Sequence, residues 1–444
     1  VSPRKILLLT LLVAFLFAFI FLFERKMPTT SEAQQKKDLV WELPEDQVEL
    51  VRTEHEGAVV ELKKNGTGWR LTKPEPYPAD AAAVEDLASQ LAKLRRAGGD
   101  ASEAKPEDYG LAMPSAKATL GWKDPENAAR HFTRTLEFGV DIPGTDAAAA
   151  RVAGTTHVLF VPARLVAAAR KGPDDFKSKE VFGSSAADAL RVDIERGRGR
   201  ISLSKKNGAW WLSQPVVDLA DGDFSSRFVD ELFGLRALEF VAAGDKANLA
   251  TFGLLPPLYR VSISDGSAKT PVSVELGATR SDGNSVYARR ETQVLTVPST
   301  IVEDLSKEAV VFREPRLVRF DRMSVTALEG TFGAEKLAVA KKDSGWSSGA
   351  ANVPAPSADD LMTAALDLKS RGFLDDTTAA ALKAGSPAAT VVVKTTTEAW
   401  TISLFPVRGE TQALVSGRPG AFQLAGDAVD KLRAAFTKAV GKKS

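Results

Sequence analysis

The stretch KKNGAWWLSQP, running from Lys205 to Pro215, decides how the rest of the chain is read. Just before it, Ile201 and Leu203 alternate with polar residues, and Trp210 and Leu212 resume the alternation after the gap. A period of two is the pattern of a strand with one buried face. Asn207-Gly208 supplies residues that tolerate the positive φ of a tight turn. The stretch therefore predicts a β-hairpin with Trp210 on its core face. By the same parity Trp211 points away from that core. It is then either covered by a neighbouring part of the chain or part of a binding surface.

Nearly the same phrase, KKNGTGWRLTKP, runs from Lys63 to Pro74. At an offset of 141, Trp69 falls on Trp210, Leu71 on Leu212, Pro74 on Pro215 and Asp80 on Asp221. Leu87, Leu91 and Leu94 fall on Phe228, Leu232 and Leu235, a helical stripe that covers a sheet. Farther on, Tyr109-Gly110-Leu111 answers Phe252-Gly253-Leu254, Phe138-Gly139 answers Leu276-Gly277, and Val161-Pro162 answers Val297-Pro298. Long-period similarity of this kind marks a repeat. A third copy is worn. LAVAKKDSGW (Leu337 to Trp346) answers ISLSKKNGAW, a Pro-rich link (Val353 to Pro356) precedes a short helix, and Lys383-Ala384-Gly385 stands where the Gly-Leu turn belongs.

Each copy predicts strands, a helix, more strands and a last short helix. That is an α+β unit with a mostly antiparallel sheet. Asp80 and Asp221 are expected helix N-caps, and Gly110 and Gly253 are expected at tight turns. The expected organisation is an anchor and tether over 1–38, then repeats over 39–178, 179–312 and 313–444. Trp69, Trp210, Trp346, Leu71 and Leu212 are the expected core markers.

Ile6 to Phe23 is 18 residues with no charge. At 1.5 Å per residue it spans roughly 27 Å, enough for a hydrocarbon core, so an uncleaved signal anchor is expected. No small-x-small cleavage site separates it from Glu24-Arg25-Lys26. Basic residues flank both ends, but large domains translocate regardless of nearby charge, so the bulk is placed outside the cytoplasm. Phe15, Phe19 and Phe23 share one side of this helix and offer a shape for partner helices.

Other function classes find little support. A net charge of +1 over 444 residues gives no field for nucleic acid. Cysteine is absent, which excludes thiolate metal sites, thiol nucleophiles and disulfides. His55, His131 and His157 match no ligand spacing, and neither a G-x-S-x-G nor a P-loop motif is present. Arg196-Gly-Arg-Gly-Arg200 reads as a solvated turn, or as a grip for an anionic partner. No cofactor, metal or catalytic residue is assigned, and the chain is not expected to be an enzyme.

The W-x-L-x-x-P, Ala-Asp, [YF]-G-L and V-P pattern resembles the bacterial domain-of-unknown-function 4340 family across most of residues 39 to 312. The resemblance implies one N-terminal membrane helix, an extracytoplasmic array, and encoding beside gliding-type ABC-transporter subunits. The implied role is an accessory or scaffold subunit of an envelope ABC transporter in the bacterial inner membrane, with its bulk in the periplasm. Its partners would be the permease or a gliding-type auxiliary protein. Direct binding of lipid or cell-wall glycan is the alternative.

Overall fold

At Lys205–Pro215 the hairpin forms as the alternation predicts. Strands Gly199–Lys206 and Ala209–Gln214 pair antiparallel, with Lys205 opposite Trp210 and Lys206 opposite Ala209. Asn207-Gly208 is left as a two-residue loop with φ of 50° and 79°, the pair of positive values that a type I′ turn requires. The first copy differs. Asn65 pairs with Gly68, so the loop is Gly66-Thr67 rather than Asn65-Gly66, and of these only Gly66 has positive φ, 62°. A glycine at the first loop position is the type II′ solution to the same strand twist.

The structure, a computed structural model, describes residues 38–98, 105–127, 129–183, 186–243, 248–266, 270–342, 345–348 and 351–441. The expected anchor, with Phe15, Phe19 and Phe23, lies outside the described residues. Among the described residues no helix is long and apolar enough to cross a membrane.

Three sheets follow one another along the chain. The first comprises β1 (Val48–His55), β2 (Ala58–Asn65), β3 (Gly68–Lys73), β4 (Tyr77–Pro78), β5 (Ala116–Lys123), β6 (His131–Asp141), β7 (Ala147–Val152) and β8 (Leu159–Pro162). Helix α1 (Ala81–Ala92) follows β4 and α2 (Ala163–Ala169) follows β8. The second sheet holds β9 (Arg191–Arg196), β10 (Gly199–Lys206), β11 (Ala209–Gln214), β12 (Asp218–Leu219), β13 (Glu239–Ala243), β14 (Tyr259–Ser264), β15 (Val272–Thr279), β16 (Ser285–Arg290) and β17 (Gln293–Pro298). Its helices are α3 (Gly222–Gly234) and α4 (Ile301–Ser306).

The third sheet holds β18 (Val325–Phe332), β19 (Glu335–Lys342), β20 (Gly345–Ser348), β21 (Ala351–Val353), β22 (Ser370–Leu374), β23 (Ala389–Thr395), β24 (Ala399–Val407), β25 (Glu410–Val415) and β26 (Ala421–Leu424). Its helices are α5 (Ala355–Leu366), α6 (Asp376–Lys383) and α7 (Gly426–Ala439). The orders are β4-β3-β2-β1-β5-β6-β7-β8, β12-β11-β10-β9-β14-β15-β16-β17-β13 and β21-β20-β19-β18-β23-β24-β25-β26-β22. The last two are one topology, and the first repeats it without the final edge strand among the described residues. This is an α+β chain of mostly antiparallel sheets.

The markers sit in equivalent places. Trp69 lies opposite Lys64, Trp210 opposite Lys205 and Trp346 opposite Lys341, and all three are buried. Leu71 and Leu212 are fully buried beside them, each contributing roughly 1.5–3 kcal/mol by leaving water. Val84, Leu87 and Leu91 are buried from α1, and Phe228, Val229 and Leu232 from α3. Asp80 caps α1 by accepting from the amides of Ala82 and Ala83, and Asp221 caps α3 by accepting from Phe224. In the third copy the Pro-rich link is not a link. The helix starts within it at Ala355, because Pro356 in the first turn has no amide to leave unsatisfied.

Gly110 (φ 72°) and Gly253 (φ 66°) hold the Gly-Leu turns. Each turn lies on a second glycine: a Cβ on Gly139 would meet the Tyr109 carbonyl oxygen at 2.0 Å, and one on Gly277 would meet that of Phe252 at 2.2 Å. The third sheet gives up this arrangement. Cross-strand pairing aligns Phe405 with Gly139 and Gly277, and Phe405 packs with Ala379 and Leu382 of α6. Gly385 merely follows the end of that helix and is not at positive φ, so it is no counterpart of Gly110.

By packing, the described chain forms two compact units. The first holds the residues up to Lys179 with 240–243 and Glu291–Gln293. The second holds Glu180–Glu239, Asn248–Arg290 and Val294 onward.

Candidate ligand-binding cleft and its buried charge cluster

Within the second unit, β12 brings a carboxylate to a place prepared for an apolar side chain. Asp218 lies opposite the buried Leu212, and parity sends it inward; its side chain is 1% exposed. Two arginines meet it. Arg418 donates from Nε to Oδ1 at 2.9 Å and from Nη2 to Oδ2 at 2.9 Å, a bidentate pair. Arg313 donates from Nε to Oδ2 at 2.9 Å, and the Leu219 amide donates to Oδ1 at 2.8 Å.

Further donors of both arginines reach backbone carbonyls. Arg418 reaches the carbonyls of Arg316, Leu317 and Glu314, and Arg313 reaches that of Pro419. Arg313 lies 4.0 Å above the Phe373 ring, and Arg418 lies 4.6 Å above that of Phe422. Burial pulls the Arg313 guanidinium below its ordinary value while Asp218 pulls the other way. A buried ion pair tied by this many hydrogen bonds is fixed in geometry, and removing one partner costs about 3–5 kcal/mol.

Above this cluster opens a cleft of about 830 Å³. Trp211, Trp400 and Phe320 line it as aromatic surfaces, Arg319, Asp321 and Glu398 line it as charges, and Asp218 and Arg418 also line it. Trp211 is half-buried, with Lys206 Nζ 5.7 Å from its ring centroid. Trp400 Nε1 is buried and has no hydrogen-bond partner among the described residues.

Other sequence candidates are spent on structure. Gly197 (φ 53°) turns the Arg-Gly run, Arg196 donates to the Ser306 carbonyl, and Arg200 pairs with Asp193 at 3.2 Å. His55 bonds the Ser115 carbonyl at 2.9 Å, and His131 bonds Glu49. Among the described residues no group of three or more His, Asp or Glu is placed to hold a metal ion. The sequence reading reached Trp211 but missed Asp218, Arg313, Arg418 and Trp400. A signal existed for two of them: at the repeat offsets Asp218 replaces Tyr77, and Arg313 answers Lys177.

A family model described as a domain of unknown function, DUF4340, matches residues 69–247 and 210–387. The two matches start on Trp69 and Trp210, at the same offset as the repeated hairpins, and together they cover most of the chain. The chain belongs to the DUF4340 family. A search of the curated proteins found no significant match. The DUF4340 matches take in Trp211, Asp218 and Arg313 but end before Trp400 and Arg418. Half of the cleft and one arm of the charge cluster are therefore supplied from beyond the matched region.

Proposed function

We propose that this DUF4340 chain is a membrane-anchored, extracytoplasmic accessory or scaffold subunit of a bacterial envelope ABC-transporter complex. Ile6–Phe23 seats it in the inner membrane, and the three sheets lie in the periplasm as three tandem repeats. The observation that carries this non-enzymatic reading is how the most buried charges are used. Asp218 and Arg418, each 1% exposed, are fully occupied with each other and with neighbouring protein groups. They fasten the third sheet's β25–β26 loop to the second sheet's β12, which makes a rigid surface for a partner rather than a reactive centre.

The test is to extract the full chain in mild detergent and identify what co-purifies. The permease or a gliding-type auxiliary protein is expected, and replacing Phe15, Phe19 and Phe23 together by Leu should keep insertion while lowering the yield of partner. Recovery of no transporter subunit, even after crosslinking in the membrane, would overturn the reading. A second reading, direct binding of lipid or glycan, is favoured by the aromatic cleft beside Trp211 and Trp400.

A further inference from the structure

We infer that the cleft between Trp211 and Trp400 binds a neutral saccharide; the inference rests on the second reading above and is independent of the scaffold role. About 830 Å³ is the size of a small-molecule site, large enough for two or three sugar rings. The choice of ligand follows from the lining. Trp211, Trp400 and Phe320 provide flat apolar surfaces, and the C–H faces of a pyranose ring stack on such surfaces.

The charged lining is mixed, with one carboxylate in excess. Arg319 and Arg418 stand against Asp218, Asp321 and Glu398, and Asp218 and Arg418 already neutralise each other. Arg319 pairs with the buried Glu314 at 3.7 Å but stays half exposed, and Asp321 Oδ1 already accepts from the Met323 amide, so the cleft offers the exposed side of Arg319 as donor and the remaining oxygens of Asp321 and Glu398 as acceptors. An anionic ligand would meet the carboxylates, and a cationic one would meet Arg319. A hydroxyl both donates and accepts, so a polyhydroxylated neutral ring suits a mixed lining.

A comparison inside the molecule supports the assignment. The place of Trp211 is taken in the first unit by Arg70, whose guanidinium is bound in an ion pair with Glu291. At that position the first unit satisfies a charge internally. The second unit instead presents an aromatic ring to an open cleft.

The test uses the full chain in detergent, titrated calorimetrically with chitotetraose, maltoheptaose and cellohexaose. At least one should bind saturably. Trp211→Ala and Trp400→Ala should each weaken binding at least tenfold, whereas Trp41→Phe should leave it unchanged. Trp211→Arg, which installs the first unit's own residue, should abolish binding while keeping the thermal transition of the parent. Failure of all three oligosaccharides to bind the folded chain would overturn the proposal. So would binding that Trp211→Arg leaves intact, or displacement of sugar by phosphatidylglycerol vesicles, which would make the cleft a lipid site. Transporter co-purification by Trp211→Arg should equal that of the parent, so failure here and failure of the scaffold reading can be told apart.

Discussion

Two places in this molecule share a backbone and differ in chemistry. In the first unit Ala79 bridges Lys177, and the Asp80 amide donates to the Phe176 carbonyl at 2.8 Å. In the second, Ala220 bridges Arg313, and the Asp221 amide donates to the Phe312 carbonyl at 2.9 Å. Lys177 is buried under Phe240 as Arg313 is under Phe373, with the cation 5.0 Å and 4.0 Å from the ring centroid. Yet the residue at the equivalent position of the short strand is Tyr77, opposite Leu71, in one case and Asp218, opposite Leu212, in the other. Lys177 is held by Gln293 and by Asp174, a carboxylate 59% exposed at the surface. Arg313 and Arg418 share a carboxylate that water does not reach. One scaffold can therefore carry either a lightly charged contact or a fully desolvated cluster, and only the second should be intolerant of substitution.

Breaking the cluster gives the largest expected effect. Asp218→Asn leaves two buried guanidinium groups without a counter-charge and should destabilise the second unit by about 3–5 kcal/mol. In calorimetry this lowers its transition by roughly 10 °C, while the first unit's transition stays in place. Next come the paired turn glycines. Gly253→Ala forces a Cβ to 2.7 Å from the Ala278 backbone nitrogen, whereas Gly110→Ala meets the movable Val140 methyl at 3.0 Å. Both carry the left-handed penalty of about 1–2 kcal/mol, so chemical denaturation should rank Gly253→Ala as clearly the costlier. Lys177→Met removes a cation whose carboxylate partner can turn to water. Because Lys177 is itself 6% exposed and bonds the buried Gln293, its cost in the first unit should be about 1–2 kcal/mol by urea titration, well below that of Asp218→Asn.

The smallest expected effect lies at Glu231, which shares a hydrogen bond with Asp304. Burial first, and then Asp304, hold the Glu231 carboxyl above its ordinary value. Burial pushes Asp304 upward as well, but Lys307 and Arg227 outweigh it and hold Asp304 low. A raised acid favours its protonated form in the fold, so Glu231 costs stability once pH rises above the ordinary carboxylate range. Asp304 has the opposite sign: its contribution is present above that range and lost as pH falls through it. Glu231→Gln should therefore raise the melting temperature by about 1–2 °C at pH 7, and the gain should vanish as pH falls towards about 4.

Much of the fold was legible because it is written locally and more than once. The Trp69/Trp210/Trp346 register, the Asp80 and Asp221 caps and the glycine turns each depend on neighbours within a few residues, and repetition lifts them above chance. The start of α5 was not legible, since Val353-Pro354-Ala355-Pro356 reads as a breaker until the unneeded amide of a first turn is considered. The cleft was half legible. Parity sends Trp211 outward, but Trp400 and Arg418, which line the cleft with it, lie about 190 and 210 residues onward, and no local pattern links side chains that come together only across two sheets.

Double-mutant cycles at the two places test the central claim most directly. Asp218→Asn with Arg418→Met, and Lys177→Met with Gln293→Met, are each measured by urea unfolding of the full chain. The desolvated bidentate pair should show a coupling energy of at least about 2 kcal/mol, against less than about 1 kcal/mol for the Lys177 pair. Equal couplings, or a larger one at Lys177, would contradict the account: Asp218 would then be a tolerated substitution for Tyr77 and not the lock of the second unit.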